Sequence, residues 1–175
     1  STRKESSAAS DVYKRQLLLG TGIRVSECVG LNIADIDFKN GGIRIYRKGG
    51  KEVTVYFGTE VEDALLDYLE ERDRIIPEKG HEDALFLSLQ RRRMAVRSVE
   101  NLVKKYARIV SPLKPITPHK LRSTYGTNLY RETGDIYLVA DVLGHSDVNT
   151  TKRHYAALED ERRRSARNKV RLREK

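Results

Sequence analysis

Two glycine-containing turns divide residues 36–57 into three short segments in which apolar and polar side chains alternate. The first turn covers residues 39–42 (Lys-Asn-Gly-Gly) and the second covers residues 48–51 (Lys-Gly-Gly-Lys). Alternation with a period of two places the apolar side chains on one face of a strand, and Asn-Gly and Gly-Gly pairs supply the positive φ angles of tight hairpins. The pattern therefore predicts three antiparallel strands.

Most of the remaining sequence has the periodicity of amphipathic helices. Residues 59–62 (Thr-Glu-Val-Glu) have the spacing of a capping box, and Thr117 followed by proline has that of a helix N-cap. The predicted helices cover residues 24–31, 59–69, 99–109, 117–134, 136–143, 148–153 and 158–172. The predicted fold class is therefore α+β and mainly α, a single helical domain with one small three-stranded antiparallel sheet.

Residues 1–16 are polar and aperiodic, so we expect a disordered leader or a vector-derived remnant ahead of a folded domain over residues 17–175. No stretch approaches the roughly 20 apolar residues that a membrane-spanning helix needs. The single cysteine, Cys28, excludes an intramolecular disulfide framework and a cysteine-rich zinc site. These features predict a cytoplasmic protein.

Positive charge is concentrated in the second half of the chain. The whole sequence has 34 Lys and Arg against 25 Asp and Glu, a net charge of +9, and residues 88–175 alone carry 21 basic and 9 acidic side chains. A large field of one sign favours a polyanionic partner, most often nucleic acid, although a merely solubilising surface has the same composition.

Two segments contain an arginine suited to phosphate binding. Arg24 follows a glycine turn, and Glu27 lies one helical turn later, so this pair is either an ordinary salt bridge or a guanidinium oriented by a carboxylate. His119 and Arg122 share one face of a helix start, where free N–H groups favour anions. Taken alone, His119 and Arg122 are more typical of an ordinary surface pair.

Three other residues complete an ordered series. Lys48 lies at a glycine-flanked hairpin tip, His145 follows a helix-ending glycine, and Tyr155 comes ten residues later. The series resembles the active site of the tyrosine recombinase (phage integrase) family, and so do the motifs Thr-Gly-Ile-Arg-Val-Ser-Glu, Thr-Pro-His-Lys-Leu-Arg-Ser-Thr and Leu-Gly-His-Ser-Asp-Val-Asn-Thr-Thr-Lys-Arg-His-Tyr. This resemblance covers residues 17–165.

The resemblance implies that the chain cuts and rejoins DNA with no metal and no cofactor. Tyr155 would attack the scissile phosphate, which gives a 3′-phosphotyrosyl link and a 5′-hydroxyl. Arg24 and Arg122 would hold the non-bridging oxygens, because phosphoryl transfer without Mg²⁺ needs fixed cations. The resemblance also implies the DNA breaking–rejoining fold, with residues 17–175 as the catalytic domain and the N-terminal core-binding domain absent.

The remaining active-site positions receive roles in the same way. Lys48 would protonate the leaving 5′-oxygen, with Lys51 as a lesser candidate, and His119 would act as acid or base near the tyrosine. His145 would donate a hydrogen bond to the phosphate, and Glu27 would support the site. One departure from the family is Arg47, which stands where a small glycine is usual before the hairpin lysine.

The expected partner is double-stranded DNA. By family resemblance we expect a homo-tetramer on DNA in which the basic helix over residues 158–172 contacts a neighbouring protomer, and association with the bacterial nucleoid when DNA is bound. The candidate DNA contacts outside the active site are Arg47, Lys51, Arg91, Arg92, Arg93 and Lys120.

Two alternative functions stay open at this point. A type IB topoisomerase-like enzyme would use the same chemistry to relax supercoils, and a catalytically silent DNA-binding module would use only the positive charge. A metal-dependent nuclease is disfavoured, because the sequence shows no carboxylate cluster and no His/Cys spacing typical of metal ligands.

Overall fold

A computed structural model of the chain describes residues 2–110, 113, 117–145, 147–167 and 169. The chain divides into two compact units, residues 1–125 and residues 126–175. The described residues form eight α-helices and one three-stranded antiparallel sheet, which confirms the predicted fold class.

The elements follow one another in an order of helix, sheet and helix. They are α1 (Thr2–Thr21), α2 (Val25–Gly30), β1 (Ile36–Asp37), β2 (Gly42–Arg47), β3 (Lys51–Tyr56), α3 (Thr59–Asp73), α4 (Val96–Val110), α5 (Pro118–Thr133), α6 (Ile136–Leu143), α7 (Val148–His154) and α8 (Ala156–Ala166). A short 3₁₀ turn over Ile33–Asp35 joins α2 to β1.

The sheet has the strand order β1-β2-β3 with both pairs antiparallel. Along β2, Ile43 and Ile45 are buried, whereas Arg44 and Tyr46 are exposed, so one face of the sheet packs on the core. The β2–β3 hairpin closes with the three residues 48–50, between the paired ends of the two strands. The prediction from the glycine turns is confirmed.

The hydrophobic core of the first unit lies between the sheet and the surrounding helices. Helix α1 packs against α3, and α2 packs against α4 and β2. The most deeply buried side chains of this core are Leu17, Leu31, Ile43, Ile45, Leu65, Tyr68, Leu85, Phe86, Val99 and Val103. The helix α2 and the strand β2 therefore have fixed places on one core.

Residues 2–16 are helical and belong to α1, in contrast to the predicted disordered leader. The Lys14 side chain is only 2% exposed, and its ammonium lies 5.8 Å from the ring centroid of Phe86 and 3.8 Å from a carboxylate oxygen of Asp11. The Tyr13 ring also packs against that of Tyr68. Because a lysine stem and a tyrosine form this inner face, a hydrophobicity pattern underestimates it.

Several predicted helix starts are shifted in the structure, among them that of α4, which begins at Val96 rather than residue 99. The N-cap of α3 is Gly58, whose carbonyl accepts the Glu62 N–H at 3.0 Å, so Thr59 is already helical and the predicted capping box is absent. Helix α8 begins at Ala156 rather than residue 158 and ends at Ala166. Residues 168 and 170–172 of the predicted basic helix lie outside the described residues.

Candidate active site

Arg24 stands at the N-terminus of α2 and is oriented by Glu27. The Arg24 N–H donates to Oε1 of Glu27 at 2.8 Å, and Arg24 Nη1 lies 3.9 Å from Oε2. The Arg24 side chain is 41% exposed, whereas that of Glu27 is 5% exposed. A buried carboxylate therefore holds an accessible guanidinium, the arrangement that anion binding requires.

The same carboxylate contacts a second arginine from the sheet. Arg47 is the last residue of β2, and its Nε lies 3.4 Å from Oε2 of Glu27. The Arg47 side chain is 8% exposed. Lys48 follows directly in an exposed turn whose two glycines, Gly49 and Gly50, have φ angles of +85° and +76°.

Helix α5 carries the predicted His119 and Arg122 pair. The Lys120 N–H donates to the Thr117 hydroxyl oxygen at 3.2 Å, which confirms Thr117 as the N-cap. His119 is exposed, whereas Arg122 is 9% exposed, beside the buried Leu121. The helix start thus presents the histidine to solvent and holds most of the arginine against the protein.

A glycine contact joins the segment before α2 to helix α5. Gly22 has a φ angle of +69°, and a β-carbon at this position would lie 2.3 Å from Cδ1 of Tyr125. Gly22 precedes Arg24 by two residues, and Tyr125 follows Arg122 by three, one turn of helix. The close approach therefore brings the segments that carry the two predicted phosphate-binding arginines together.

In the second unit, His145 is held by the turn between α6 and α7. Gly144 ends α6 in the left-handed conformation with φ +71°, and the His145 N–H donates to the Ala140 carbonyl at 2.9 Å. The ring atom Nδ1 of His145 lies 2.5 Å from the hydroxyl of Thr151, which is fully buried. This hydrogen bond fixes the orientation of the imidazole.

Tyr155 is the single residue between α7 and α8, and its side chain is 3% exposed. Its N–H donates to the carbonyl of Thr151 at 3.0 Å. The phenol stacks on Tyr130 with a centroid distance of 6.0 Å, and His154 meets it edge-on at 4.8 Å. Thr151 therefore contacts His145 through its hydroxyl and Tyr155 through its backbone.

The other face of Tyr130 belongs to helix α8. The guanidinium of Arg162 lies 5.6 Å from the Tyr130 ring centroid and donates to the carbonyl of Arg131 at 3.1 Å. Gly134 has a φ angle of +67°, which favours glycine, and a β-carbon there would lie 2.0 Å from Nη2 of Arg162. Burial raises the pKa of the Tyr130 hydroxyl. Helix α8 is thus fastened to the end of α5.

The candidate DNA contacts differ in their exposure and in their partners within the protein. Lys51, Arg92 and Lys120 are exposed. Arg91 pairs with Glu78 at 2.7 Å. Arg93 turns inward: its guanidinium donates to the carbonyls of Val29 and Leu31, both at 3.0 Å, and to the side chain of Asn32.

Sequence analysis missed two anchoring contacts, those of Arg47 and Thr151. The buried pair of Arg47 and Glu27 joins residues 20 positions apart on different elements, and no local pattern indicates it. Thr151 stands inside the Leu-Gly-His motif, where its spacing from His145 and Tyr155 was the available signal. The structure gathers Arg24, Glu27 and Arg47 in the first unit and His145, Thr151 and Tyr155 in the second.

Neither a metal centre nor a membrane-spanning helix is found in the part of the chain that the structure describes. No group of three or more His, Cys, Asp and Glu side chains there is arranged to hold a metal ion. None of its helices combines the length and the apolar character needed to cross a bilayer.

Comparison with known proteins gives consistent relatives. The family model described as "Phage integrase family" matches residues 2–162. The chain is 37% identical to the tyrosine recombinase XerD of Oceanobacillus iheyensis, with 78% of this chain and 46% of the relative covered, and 37% identical to the tyrosine recombinase XerC of Thermodesulfovibrio yellowstonii over the same shares. It therefore spans less than half the length of these curated relatives.

Solved structures agree with these sequence relatives. The crystal structure of the XerA recombinase superposes with a TM-score of 0.79 at 30% identity and covers 98% of this chain and 62% of that one. The XerH recombinase bound to palindromic difH substrate in a post-cleavage complex has a TM-score of 0.78 at 25% identity, over 92% of this chain and 46% of that one. By its family-model match and by these relatives, the chain belongs to the phage integrase family of tyrosine recombinases.

Proposed function

We propose that this chain is the catalytic part of a site-specific DNA recombinase that cleaves and rejoins DNA through Tyr155. The observation that carries the proposal is that one buried polar residue anchors each group of predicted active-site residues. Glu27 contacts Arg24 in the first unit, and the buried Thr151 hydroxyl binds the His145 ring, one helical turn before Tyr155, in the second. Residues with only a packing role would not need such oriented polar contacts.

The relatives support DNA as the substrate. The XerH structures contain difH DNA, one in a pre-cleavage complex and one in a post-cleavage complex. The excess of 21 basic over 9 acidic side chains in residues 88–175 favours the same partner, because cationic side chains that neutralise phosphates release condensed counterions.

The proposed reaction is a reversible transesterification at phosphorus. The phenolic oxygen of Tyr155 forms a bond to phosphorus as its proton passes to a base, for which His119 is the candidate. The bond from phosphorus to the 5′-oxygen breaks, and Lys48 supplies the proton that this oxygen takes up. Arg24 and Arg122 neutralise the charge that gathers on the non-bridging oxygens.

His145 would donate a hydrogen bond to the same phosphate, since Thr151 fixes its ring. The reverse reaction uses the 5′-hydroxyl of a partner strand as nucleophile and releases Tyr155. Because a phosphotyrosyl bond replaces a phosphodiester of similar energy, the cycle needs no high-energy cofactor. The Tyr155 phenol is 3% exposed, so attack requires its side chain to leave the packing against Tyr130.

The same proposal covers assembly and location. We propose a homo-tetramer on DNA in which the segment that begins with α8 contacts a neighbouring protomer, and a cytoplasmic protein that is associated with the nucleoid when bound. The exposed arginines Arg163 and Arg164 of α8 pair only with Glu159 and Asp160 of the same helix in the contacts described. Both contacts are at the surface, where ion pairs are weak and readily exchanged.

Covalent trapping tests the proposal directly. The protein is incubated in EDTA with nicked suicide duplexes, both difH DNA and a pool with randomised arms, and resolved on denaturing gels. We expect a protease-sensitive shifted band that is lost in Tyr155→Phe and kept in Tyr137→Phe, a matched control because Tyr137 is 62% exposed. DNA binding without a band would contradict the proposal and favour the silent module. A band together with plasmid relaxation, but without recombinant products, would favour the topoisomerase.

A further inference from the structure

We propose that Arg47 is a positioning residue that holds the Lys48 turn against the start of α2, so that the Lys48 ammonium and the Arg24 guanidinium reach one phosphate. This inference rests on the proposed function. It assigns a role to the residue at which the sequence departs from the small glycine expected before the hairpin lysine.

A single carboxylate connects the two catalytic candidates. Glu27 accepts the Arg24 N–H at 2.8 Å, and its Oε2 lies 3.9 Å from Nη1 of Arg24. The same Oε2 lies 3.4 Å from Nε of Arg47, the residue directly before Lys48. The path from one candidate to the other thus runs through one ion-paired carboxylate and one peptide bond.

Burial makes this contact an anchor. The side chains of Arg47 and Glu27 are 8% and 5% exposed, so separating them would leave charges in a poorly solvated place. A shift of the end of β2 away from α2 is therefore opposed. Exposed ion pairs lack this property because water replaces the lost partner.

The turn is closed by the Gly50 N–H, which donates to the Arg47 carbonyl at 3.0 Å, and no side chain packs against its two glycines. Gly49 and Gly50 both have positive φ angles, and a β-carbon at either would meet nothing within 4 Å. Strand pairing holds the two ends of the turn to each other but does not fix the hairpin tip, with its exposed lysine, relative to α2. The contact of Arg47 with Glu27 fixes the hairpin tip relative to α2, so the Lys48 ammonium starts close to the position that catalysis needs.

Arg44 provides a matched control on the same strand. It lies on the opposite face of β2, 44% exposed, with its Nε 3.2 Å from Asp35 and 3.9 Å from Glu52. Its partners come from the 3₁₀ turn and β3, not from α2. A variant at Arg44 therefore removes an arginine ion pair from β2 but leaves the Glu27 anchor in place.

The experiment compares Arg47→Met, Arg47→Lys and Arg44→Met on two suicide substrates. One has an ordinary scissile phosphate, and the other has a 5′-bridging phosphorothiolate, whose sulfur leaves without needing a proton. For Arg47→Met we expect cleavage of the ordinary substrate to slow about 10- to 100-fold and cleavage of the phosphorothiolate to stay within about 3-fold of the unchanged protein. The cleavage rate of Arg47→Lys on the ordinary substrate should lie between those of Arg47→Met and the unchanged protein. Arg44→Met should cleave both substrates at the rate of the unchanged protein.

An equal slowing of Arg47→Met on both substrates, or no slowing on either, would overturn the inference. Amide hydrogen exchange gives a second readout that does not need catalysis. The amides of Gly50 and Lys51, which close the hairpin, should exchange about 10-fold faster in Arg47→Met than in Arg44→Met, and equal rates would overturn the anchor. If the unchanged protein forms no covalent complex with either substrate, the proposed function fails, and the exchange data alone decide whether Arg47 holds the turn.

Discussion

The hydroxyl oxygen of Tyr155 occupies the place where a side chain at Gly126 would be. A β-carbon on Gly126 would lie 2.1 Å from that oxygen, 3.2 Å from Cζ of the same ring and 3.0 Å from Cδ1 of Leu143. Gly126 stands inside helix α5, where glycine costs about 1 kcal/mol relative to alanine. Helix α5 is therefore less stable at Gly126 than it would be with alanine, and this is the position against which the phenol packs.

Gly126→Ala is expected to lower the free energy of unfolding by about 1–3 kcal/mol, because the added methyl overlaps the Tyr155 hydroxyl. In the Tyr155→Phe background the overlapping oxygen is gone, and the better helix propensity of alanine should bring the cost near zero. Urea unfolding of the four proteins in this double-mutant cycle measures the coupling. The same cost in both backgrounds would show that the hydroxyl is not what occupies the space.

Thr151→Val removes the hydroxyl that binds His145 but keeps the shape of the side chain and the carbonyl that accepts the Tyr155 N–H. We expect cleavage of a suicide substrate to slow about 10-fold with little change in DNA affinity, because the imidazole loses its fixed orientation. The neighbouring Thr150 is exposed, so Thr150→Val should leave both quantities unchanged. A parallel loss of affinity in Thr151→Val would instead indicate a general packing defect.

Gly22→Ala tests the contact between the segment before α2 and helix α5. The new β-carbon would lie 2.3 Å from the Tyr125 ring and would sit at φ +69°, so we expect a loss of about 2–4 kcal/mol in the free energy of unfolding. Gly80 has φ +90° with nothing within 4 Å of a β-carbon. Gly80→Ala should therefore show the backbone cost alone, about 1 kcal/mol. Equal losses at the two positions would contradict the close approach of Gly22 and Tyr125.

Lys14→Met is expected to stabilise the protein at neutral pH by about 1 kcal/mol. Burial lowers the pKa of Lys14 below its ordinary value of 10.5, despite the nearby carboxylate of Asp11. A lysine whose pKa is lower in the folded state destabilises that state while it is charged. This cost is complete below the folded pKa and disappears as the pH rises towards 10.5.

The stabilisation by Lys14→Met should therefore shrink as the pH is raised from 8 towards 10.5, which denaturant unfolding at a series of pH values measures. Lys105→Met, at an exposed position on α4, is the control, and its effect on the free energy of unfolding should stay near zero at every pH. A gain from Lys14→Met that does not change with pH would show that extra packing, and not the buried charge, is responsible.

Local signals account for the parts of the fold that the sequence predicts well. The hairpins follow from glycine turns between alternating segments, and Thr117 caps α5 as its hydroxyl and the following proline indicate. Each of these inferences depends on residues within a few positions of each other, where backbone geometry sets the result.

Contacts between distant elements account for most of what sequence analysis missed. The ion pair of Arg47 and Glu27 depends on how β2 and α2 pack, and the burial of Lys14 depends on a helix whose inner face is partly polar. The run of arginines at residues 91–93 indicates a surface for DNA. The guanidinium of Arg93, however, donates hydrogen bonds to the carbonyls of Val29 and Leu31. A composition rule cannot distinguish an arginine that binds backbone from one that faces solvent.

Tyr155 is both the C-cap residue of α7 and the N-cap residue of α8, with φ −107° and ψ 16°. No loop separates the two helices, so the two backbone torsion angles of this one residue determine the angle between them. A rotation of α8 about its first turn would therefore also move the phenol of Tyr155. Arg162 lies seven residues after Tyr155, so its hydrogen bond to the Arg131 carbonyl opposes such a movement of α8.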